Sequence, residues 1–325
     1  MVRPVMKIMR MCACLVCAAS AAGALAQAYP SKPVRVVVSF PPGAGVDIVA
    51  RTVMPRLADA LGQQFVIDNR AGASGNLGSE VAAHAPPDGY TLLFTPASVA
   101  SSQALYARLN YNLTKDLEPI SMVAAAPFVL VVHPSLPVKT VKELIAMAKA
   151  KPGQLLYAST GNGGSPHLAT EMFKQQANID ITHIPYKGTP PAVTDLIAGQ
   201  VSLMFANTLS VLPYVNSGRL RALAISSIKR SAAAPSLPTI AESGMPGFDS
   251  VTWFGLLAPT GVPREAINRL NPELRRIVQS KALADLLIAQ GADPIGSSAE
   301  EFAARIKADI AKFTVIIKTA GVRAE

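Results

Sequence analysis

The sequence predicts an α/β protein with parallel β-sheets. Short runs of apolar and β-branched residues alternate with amphipathic segments over most of the chain, as in proteins whose strands are buried on both faces. Apolar side chains recur every three or four residues from Val46 to Leu61 and from Phe302 to Ile317, which indicates two helices with one buried face. The predicted strands are Val34–Phe40, Phe65–Asp68, Tyr90–Thr95, Phe128–His133, Leu155–Ser159, Ile181–Pro185, Ser202–Phe205, Leu220–Ser226 and Phe254–Ala258.

Composition narrows the class of protein. The chain has 325 residues, of which 50% are hydrophobic and 16% are charged, so it is not a disordered protein and has the length of roughly two domains. Basic residues form no run of five and do not alternate with aromatic residues, which argues against a nucleic-acid-binding protein.

The N-terminus has the pattern of a secretory signal peptide. Arg3, Lys7 and Arg10 precede an apolar run, Met11–Leu25, and small residues suited to cleavage follow it up to Ala28. A membrane anchor is the alternative, but the run is shorter than the roughly 20 residues of a spanning helix. We therefore expect residues 1–28 to be cleaved and the mature protein to be periplasmic. All three cysteines lie in this segment, so the mature chain has no disulfide or thiolate ligand, and its net charge falls from +9 to +6 with the three basic residues.

Two long apolar stretches suggest how the domains are arranged. Met122–His133 and Ser250–Pro259 flank the middle third of the chain. If the chain crosses between two lobes at these stretches, the first lobe comprises 29–128 plus 254–325 and the second 129–253, with a two-strand hinge. Two consecutive domains divided near residue 130 remain the alternative.

The first candidate site is a glycine-containing turn between a strand and a helix. Glycine lets the backbone approach a ligand closely, and the N–H groups at a helix start favour an anion. Two alternatives remain: a dinucleotide-binding turn, although Ile48 stands where the third glycine belongs, and a plain turn with Asp47 as the helix N-cap. The assigned residues are Phe40, Pro42, Gly43, Ala44, Gly45 and Asp47.

A second junction of the same kind follows the strand at Leu155–Ser159. Ser165 is expected to be the N-cap of the next helix, with Pro166 in its first turn. The alternative is a flexible surface loop. The assigned residues here are Ser159, Thr160, Gly161, Asn162, Gly163 and His167. A third loop, after Thr95, contributes Ser98, unless it is a plain turn.

Signatures of catalysis and of metal binding are missing from the sequence. No G-x-S-x-G or H-E-x-x-H motif occurs, and the four histidines are scattered. We therefore expect no catalytic residue, no metal and no cofactor. The alternative is an exported enzyme for small organic acids that uses His167 or Asp47 as its acid or base.

Several blocks of sequence resemble a known family. They are Asn69–Gly78, Pro87–Leu93, Pro185–Gly188, Pro238–Gly244 and Trp253–Pro259, in that order. By these blocks the chain is similar to the Bug/TctC family, the periplasmic substrate-binding proteins of tripartite tricarboxylate transporters.

The resemblance implies a two-lobed, type II periplasmic binding protein that closes like a venus flytrap on a small carboxylic acid. It also implies delivery of that acid to the membrane components of a transporter, or, as an alternative, an orphan sensor that signals to a partner; we expect a monomer. The resemblance adds Asn207 to the site. The sequence departs from the family pattern at Ser98-Val99, where the family has Thr-His, and at Phe205-Ala206-Asn207, where it has F-D-N. Both changes make the site less polar.

Overall fold

The computed structural model describes residues 29–231 and 234–323, so the predicted signal peptide and its cysteines lie outside the described residues. The strands are β1 (Val34–Val38), β2 (Phe65–Asn69), β3 (Thr91–Pro96), β4 (Leu117–Val132), β5 (Leu156–Ser159), β6 (Thr182–Pro185), β7 (Leu203–Asn207), β8 (Arg221–Ile225), β9 (Val251–Pro259) and β10 (Asp293–Pro294). The helices are α1 (Gly45–Leu61), α2 (Asn76–Ala83), α3 (Ser98–Leu105), α4 (Val141–Ala150), α5 (Ser165–Ala177), α6 (Thr189–Ile197), α7 (Thr208–Asn216), α8 (Arg264–Val278), α9 (Lys281–Gln290) and α10 (Ala299–Ala320).

The first lobe is built on the strand order β2-β1-β3-β9-β4. β1 pairs in parallel with β2 and β3, as the apolar runs predict, whereas β9 is antiparallel to both β3 and β4. Apolar residues of α1, α8 and α9 cover one face of this sheet, and those of α3 and α10 cover the other. Both faces are therefore buried, which explains why these strands do not alternate apolar with polar residues.

The second lobe repeats this arrangement with fewer strands. β5 lies between β6 and β7 and is parallel to both, while the end of β4 is antiparallel to β7 and β8. Helices α4 and α5 pack on one face, and α6 and α7 pack on the other.

A single long strand connects the two sheets. β4 pairs with β9 from Leu117 to Pro127 and then with β7 and β8 from Phe128 to Val132. Every predicted strand overlaps an observed one. The expectation of parallel pairing fails for β4, β8 and β9, whose pairings are all antiparallel. Parallel neighbours need a strand–helix–strand crossover, whereas β4 continues from one lobe into the other. Among the described residues, no helix combines the length and the apolar character needed to cross a membrane.

Candidate functional site

A narrow cavity lies between the lobes, at the carboxyl ends of β1, β3, β5 and β7. α/β proteins bind their ligands at this edge of a sheet. The space open to the centre of a water molecule is about 20 Å³, room for one or two waters. We call it the inner cavity. None of the described residues that line it is charged; they are Phe40, Ala44, Gly45, Val46, Pro96, Ser98, Phe128, Thr160, Ser165, Pro166, Thr189, Asn207, Thr252 and Phe254.

In the part of the chain that the structure describes, five helices begin at the inner cavity. The first residues of α1, α3, α5 and α6 line it, and so does the residue just before α7, Asn207. None of these five helices has a side-chain hydrogen bond capping its N-terminus. The first N–H groups of a helix carry partial positive charge, so their convergence favours a bound anion.

Three buried polar atoms in this cavity lack partners. Within the described part of the chain, Ser98 Oγ, Ser165 Oγ and Asn207 Oδ1 form no hydrogen bond. Leaving a buried polar group unpaired costs about 1–3 kcal/mol, so folded proteins rarely do so without a reason. Ser98 belongs to the first lobe, and Ser165 and Asn207 belong to the second, so the unpaired atoms face the same space from both sides.

The prediction that Ser165 is an N-cap is wrong by one residue. Gly164 is the N-cap, with φ −63° and ψ 154°, and Ser165 is the first residue of α5. A residue inside the first turn cannot accept the N–H that an N-cap side chain accepts. This shift leaves the hydroxyl of Ser165 in the cavity wall.

The two predicted glycine turns share one local structure. Gly43 and Gly163 both have left-handed backbone, with φ of 80° and 69°, and each precedes an extended N-cap. Three residues after that N-cap, Asp47 Oδ2 accepts the N–H of Gly43 at 2.9 Å, and His167 Nδ1 accepts the N–H of Gly163 at 3.0 Å. Asp47 therefore anchors its turn from within α1, and its alternative assignment as an N-cap is wrong.

Asp47 is also held by two other side chains. Arg51 Nε donates to it, and Asn69 Nδ2 donates both to Asp47 Oδ1 and to the carbonyl of Phe40, each at 2.9 Å. Burial of Asp47 opposes its ionisation, but the hydrogen bonds from Arg51, Gly43 and Asn69 outweigh burial and lower the pKa of this carboxyl. Pro42 and Gly43 are exposed and do not line the inner cavity.

The second turn, residues 159–164, is called the glycine loop here. Its Thr160 lines the inner cavity, whereas Gly161 and Asn162 line a second, outer cavity. Ser159 Oγ accepts the N–H of Gly161 at 3.1 Å and lies 2.6 Å from His183 Nε2. Ser159, Gly163 and His167 therefore shape the glycine loop rather than line either cavity.

Direct contacts join the glycine loop to the first lobe. Ser74 Oγ donates to the carbonyl of Asn162 at 2.9 Å, and Ser101 Oγ lies 2.5 Å from the carbonyl of Gly163. A Cβ atom added to Gly163 would lie 2.2 Å from Leu105 Cδ2. The lobes therefore meet closely at this loop; the left-handed backbone favours glycine at position 163, and any side chain there would have to displace Leu105.

The outer cavity adjoins the inner one and is larger, about 270 Å³. Phe40 and Thr160 line both. Lys187 is the one charged residue among the described residues that line the outer cavity, and it is exposed. The remaining lining residues are Pro41, Gly72, Ala73, Ser74, Gly75, Tyr106, Gly161, Asn162, Pro185, Tyr186 and Gly188.

Six of the residues assigned from the sequence line the inner cavity: Phe40, Ala44, Gly45, Ser98, Thr160 and Asn207. The sequence did not indicate Ser165, Thr189 or Thr252 as site residues, nor the apolar wall formed by Phe128 and Phe254. Gly188 directly before Thr189 was a usable signal, because it repeats the pattern of glycine before a helix. Thr252 and Phe128 lie on the hinge strands and have no local signal. Among the described residues, no group of three or more potential ligands is arranged to hold a metal ion.

Comparison with known proteins identifies the family. The model of the tripartite tricarboxylate transporter family receptor matches residues 49–322. The chain belongs to this family. Protein BugT of Bordetella pertussis is 39% identical over 305 residues, which cover 93% of this chain and 94% of BugT.

Solved structures of similar proteins agree with this family assignment. Rpa4515 of R. palustris, solved with adipate, superposes with a TM-score of 0.89 at 36% identity. The match covers 91% of this chain and 99% of the Rpa4515 chain. MatC of Rhodopseudomonas palustris, with bound malate, superposes with a TM-score of 0.83 at 29% identity. The match covers 89% of this chain and 100% of the MatC chain. The chain is therefore a solute-binding receptor of the tripartite tricarboxylate transporter receptor family, with the two-lobed fold of periplasmic binding proteins.

Proposed function

We propose that this protein captures a small carboxylic acid between its lobes and delivers it to a tripartite tricarboxylate-type transporter. The observation that carries the proposal is the pair of unpaired buried hydroxyl donors, Ser98 Oγ of the first lobe and Ser165 Oγ of the second, which face one cavity from both lobes. A ligand that enters this cavity gives them partners and thereby joins the lobes.

A carboxylate fits the inner cavity better than a cation or a sugar does. Helix N-termini and hydroxyl donors surround the space, and no acidic side chain lines it. Hydrogen bonds from such donors to an ionised group are stronger than those to neutral groups. The apolar wall formed by Phe40, Phe128 and Phe254 suits the carbon atoms next to the carboxylate.

We place the remainder of the acid in the outer cavity. The inner cavity has no room for more than a carboxylate group in the state described, and the two cavities meet at Phe40 and Thr160. Lys187 suits a second carboxylate at the far end. Lys187→Met should therefore weaken adipate more than hexanoate, and Lys187→Arg should not. Equal effects on both acids would remove Lys187 from the site.

The lobes move as units in this proposal. We take 29–128 plus 254–325 as the first and 129–253 as the second, because the partners of β4 change from β9 to β7 and β8 at Phe128. Closure by hinge motion is the usual response of such receptors to a ligand. Residues 1–28 are proposed to be the cleaved signal peptide that directs the protein to the periplasm.

Thermal unfolding tests the function. A ligand that binds only the folded state stabilises it by about 2.7 kcal/mol at a concentration 100 times its Kd. The panel comprises mono-, di- and tricarboxylates with nicotinate- and benzoate-like acids, and nucleotides and sugars are the comparison set. At least one acid should raise the Tm. Stabilisation by nucleotides or sugars alone would contradict the proposal.

The same panel distinguishes receptor from enzyme. His167 and Asp47 both hold backbone N–H groups, and neither lines the inner cavity. The acids should therefore be recovered unchanged after incubation, and turnover of any of them would favour the enzyme.

A further inference from the structure

A stack of three rings, two of them buried and one partly buried, lies behind the glycine loop. His167 on α5 stacks on His183 of β6 with ring centroids 4.0 Å apart, and His183 stacks on Tyr157 of β5 at 4.8 Å. Two charged side chains of α5, Glu171 and Lys174, complete the cluster. Glu171 accepts from Tyr157 Oη at 2.6 Å and from Lys174 Nζ at 2.9 Å.

The two imidazoles attach to opposite ends of the glycine loop. His167 Nδ1 accepts the N–H of Gly163, and His183 Nε2 is hydrogen-bonded to Ser159 Oγ, which in turn accepts the N–H of Gly161. The outward-facing carbonyls of the same loop accept hydrogen bonds from Ser74 and Ser101 of the first lobe. The ring stack and the contact between the lobes therefore act on the same six residues.

His167 accepts a hydrogen bond only while its Nδ1 carries no proton. Burial lowers the pKa of His167 to about 4, and Lys174 adds to this effect. Burial and the neighbouring His167 lower the pKa of His183 to about 3. Both rings are therefore neutral at ordinary pH, and the ring proton of His167 resides on Nε2.

We infer that His167 is a positioning residue for ligand capture: its neutral Nδ1 fixes Gly163 so that the glycine loop meets the first lobe. Asp47 does the same for Gly43 in the first lobe, from the same position in its helix. The second lobe uses an uncharged acceptor where the first uses a carboxylate. This inference rests on the proposed function, because it assumes that the contact between the glycine loop and the first lobe serves ligand capture.

A matched pair of variants tests the inference. His167→Asn and His167→Gln both remove the ring, but only the Asn side chain places an oxygen atom where Nδ1 lies in the wild type. Asp47, whose side chain has the same length as Asn, accepts the corresponding N–H of Gly43 in the first lobe. Hydrogen exchange is followed in peptides that cover residues 159–166, and peptides of α10 serve as the control.

We expect His167→Asn to exchange at residues 159–166 within about 3-fold of the wild type and His167→Gln to exchange at least about 10-fold faster. Equal exchange in the two variants, fast or slow, would overturn the inference. If His167→Gln does not fold, His167→Asn decides alone: it must keep slow exchange, and fast exchange overturns the inference.

Adipate binding is the second readout, measured by titration calorimetry. His167→Gln should weaken adipate by at least about 10-fold, and His167→Asn should restore affinity to within about 3-fold of the wild type; equal affinity of the two variants would overturn the inference. Exchange is measured without any acid. If wild-type protein does not bind adipate, that result counts against the proposed ligand, and the exchange data still decide the role of His167.

Discussion

Two helices that begin away from the cleft carry a complete capping box, and none of the five that begin at the inner cavity does. α4 starts with a complete capping box, in which Thr140 accepts the N–H of Glu143 and Glu143 accepts the N–H of Thr140. α10 starts in the same way with Ser298 and Glu301. At the five helices that begin at the inner cavity, no side chain makes a capping hydrogen bond, although α7 is preceded by an asparagine.

The capping boxes contribute to the stability of the fold, whereas the helix starts at the inner cavity are available for ligand binding. A capping box satisfies the helix N–H groups with the protein's own oxygen atoms and stabilises the fold. Helix starts without one leave their N–H groups available to a ligand. α2, α8 and α9 also lack a side-chain cap, so this absence alone does not mark a site. The marker is convergence of several such helix starts on one cavity with unpaired hydroxyls.

The largest effect is expected when the lobes are held apart. Gly163→Val places a branched side chain against Leu105, where a Cβ alone would lie 2.2 Å from Cδ2. Calorimetry should show at least about a 100-fold loss of affinity for the best acid of the panel, because the closed state is depopulated.

The control for Gly163→Val is Gly218→Val. Gly218 has φ 73°, close to the 69° of Gly163, but a Cβ there would meet nothing within 4 Å. Both variants bear the strain of a left-handed backbone, roughly 1–2 kcal/mol. If both variants lose affinity equally, backbone strain explains the loss, and the contact between Gly163 and Leu105 is not needed for binding.

Removal of the unpaired hydroxyls should weaken binding by a smaller factor. Ser98→Ala and Ser165→Ala should each cost about 10-fold in affinity, since a hydrogen bond to a charged group contributes about 1.5–3 kcal/mol. Unliganded protein should keep or gain thermal stability, because neither hydroxyl has a partner to lose.

Ser121→Ala is the matched control, since Ser121 Oγ is buried and donates to the carbonyl of Ser297 at 2.9 Å. It should lower the Tm and leave affinity unchanged. A loss of stability in Ser98→Ala or Ser165→Ala without loss of affinity would contradict the assignment of these hydroxyls to the ligand.

Acid should weaken the fold through the histidine stack. In the unfolded chain His167 takes up a proton near pH 6.5, whereas burial holds its folded pKa at about 4. The unfolded state therefore binds more protons between these values, and stability is complete above about pH 6.5 and falls towards pH 4. The loss from His167 near pH 4.5 is on the order of 2 kcal/mol.

Chemical denaturation across this pH range checks the acid effect. His167→Asn removes this titrating ring and should make the loss of stability between pH 6.5 and 4 smaller than in the wild type. A wild-type curve without a slope between pH 6.5 and 4 would contradict the neutral, buried state of the ring.

The smallest effect is expected at the capped helices. Thr140→Ala should destabilise the protein by about 1 kcal/mol through loss of the cap of α4. Denaturant unfolding measures this loss, and calorimetry should find unchanged affinity for the acid. A change in affinity in Thr140→Ala would contradict the view that the capped helices contribute to stability and not to ligand binding.

The sequence predicted the fold well because its signals are local. Apolar runs identified the strands, and apolar spacing identified α1 and α10, whose stripe residues Val49, Val53, Phe302 and Ile306 are buried. The two glycine turns were found for the same reason, since Gly43 and Gly163 mark a left-handed backbone before a helix.

The rest of the site depends on contacts between distant parts of the chain. Thr252 and Phe128 enter the inner cavity only because β4 and β9 cross between the lobes. Ser165 was taken for a cap because Ser before Pro has that pattern, and a one-residue shift of the helix start changes its role. The stacking of His167 on His183 joins α5 to β6, and no spacing in the sequence indicates it.

The central claim is that neutral donors hold an ionised group in the inner cavity. Calorimetry on the acid that stabilises the protein most, set against the primary amide of that acid, tests it most directly, because the two molecules differ in charge and scarcely in shape. The acid should bind at least about 100-fold more tightly, about 2.7 kcal/mol. Equal affinity for the amide would contradict the account.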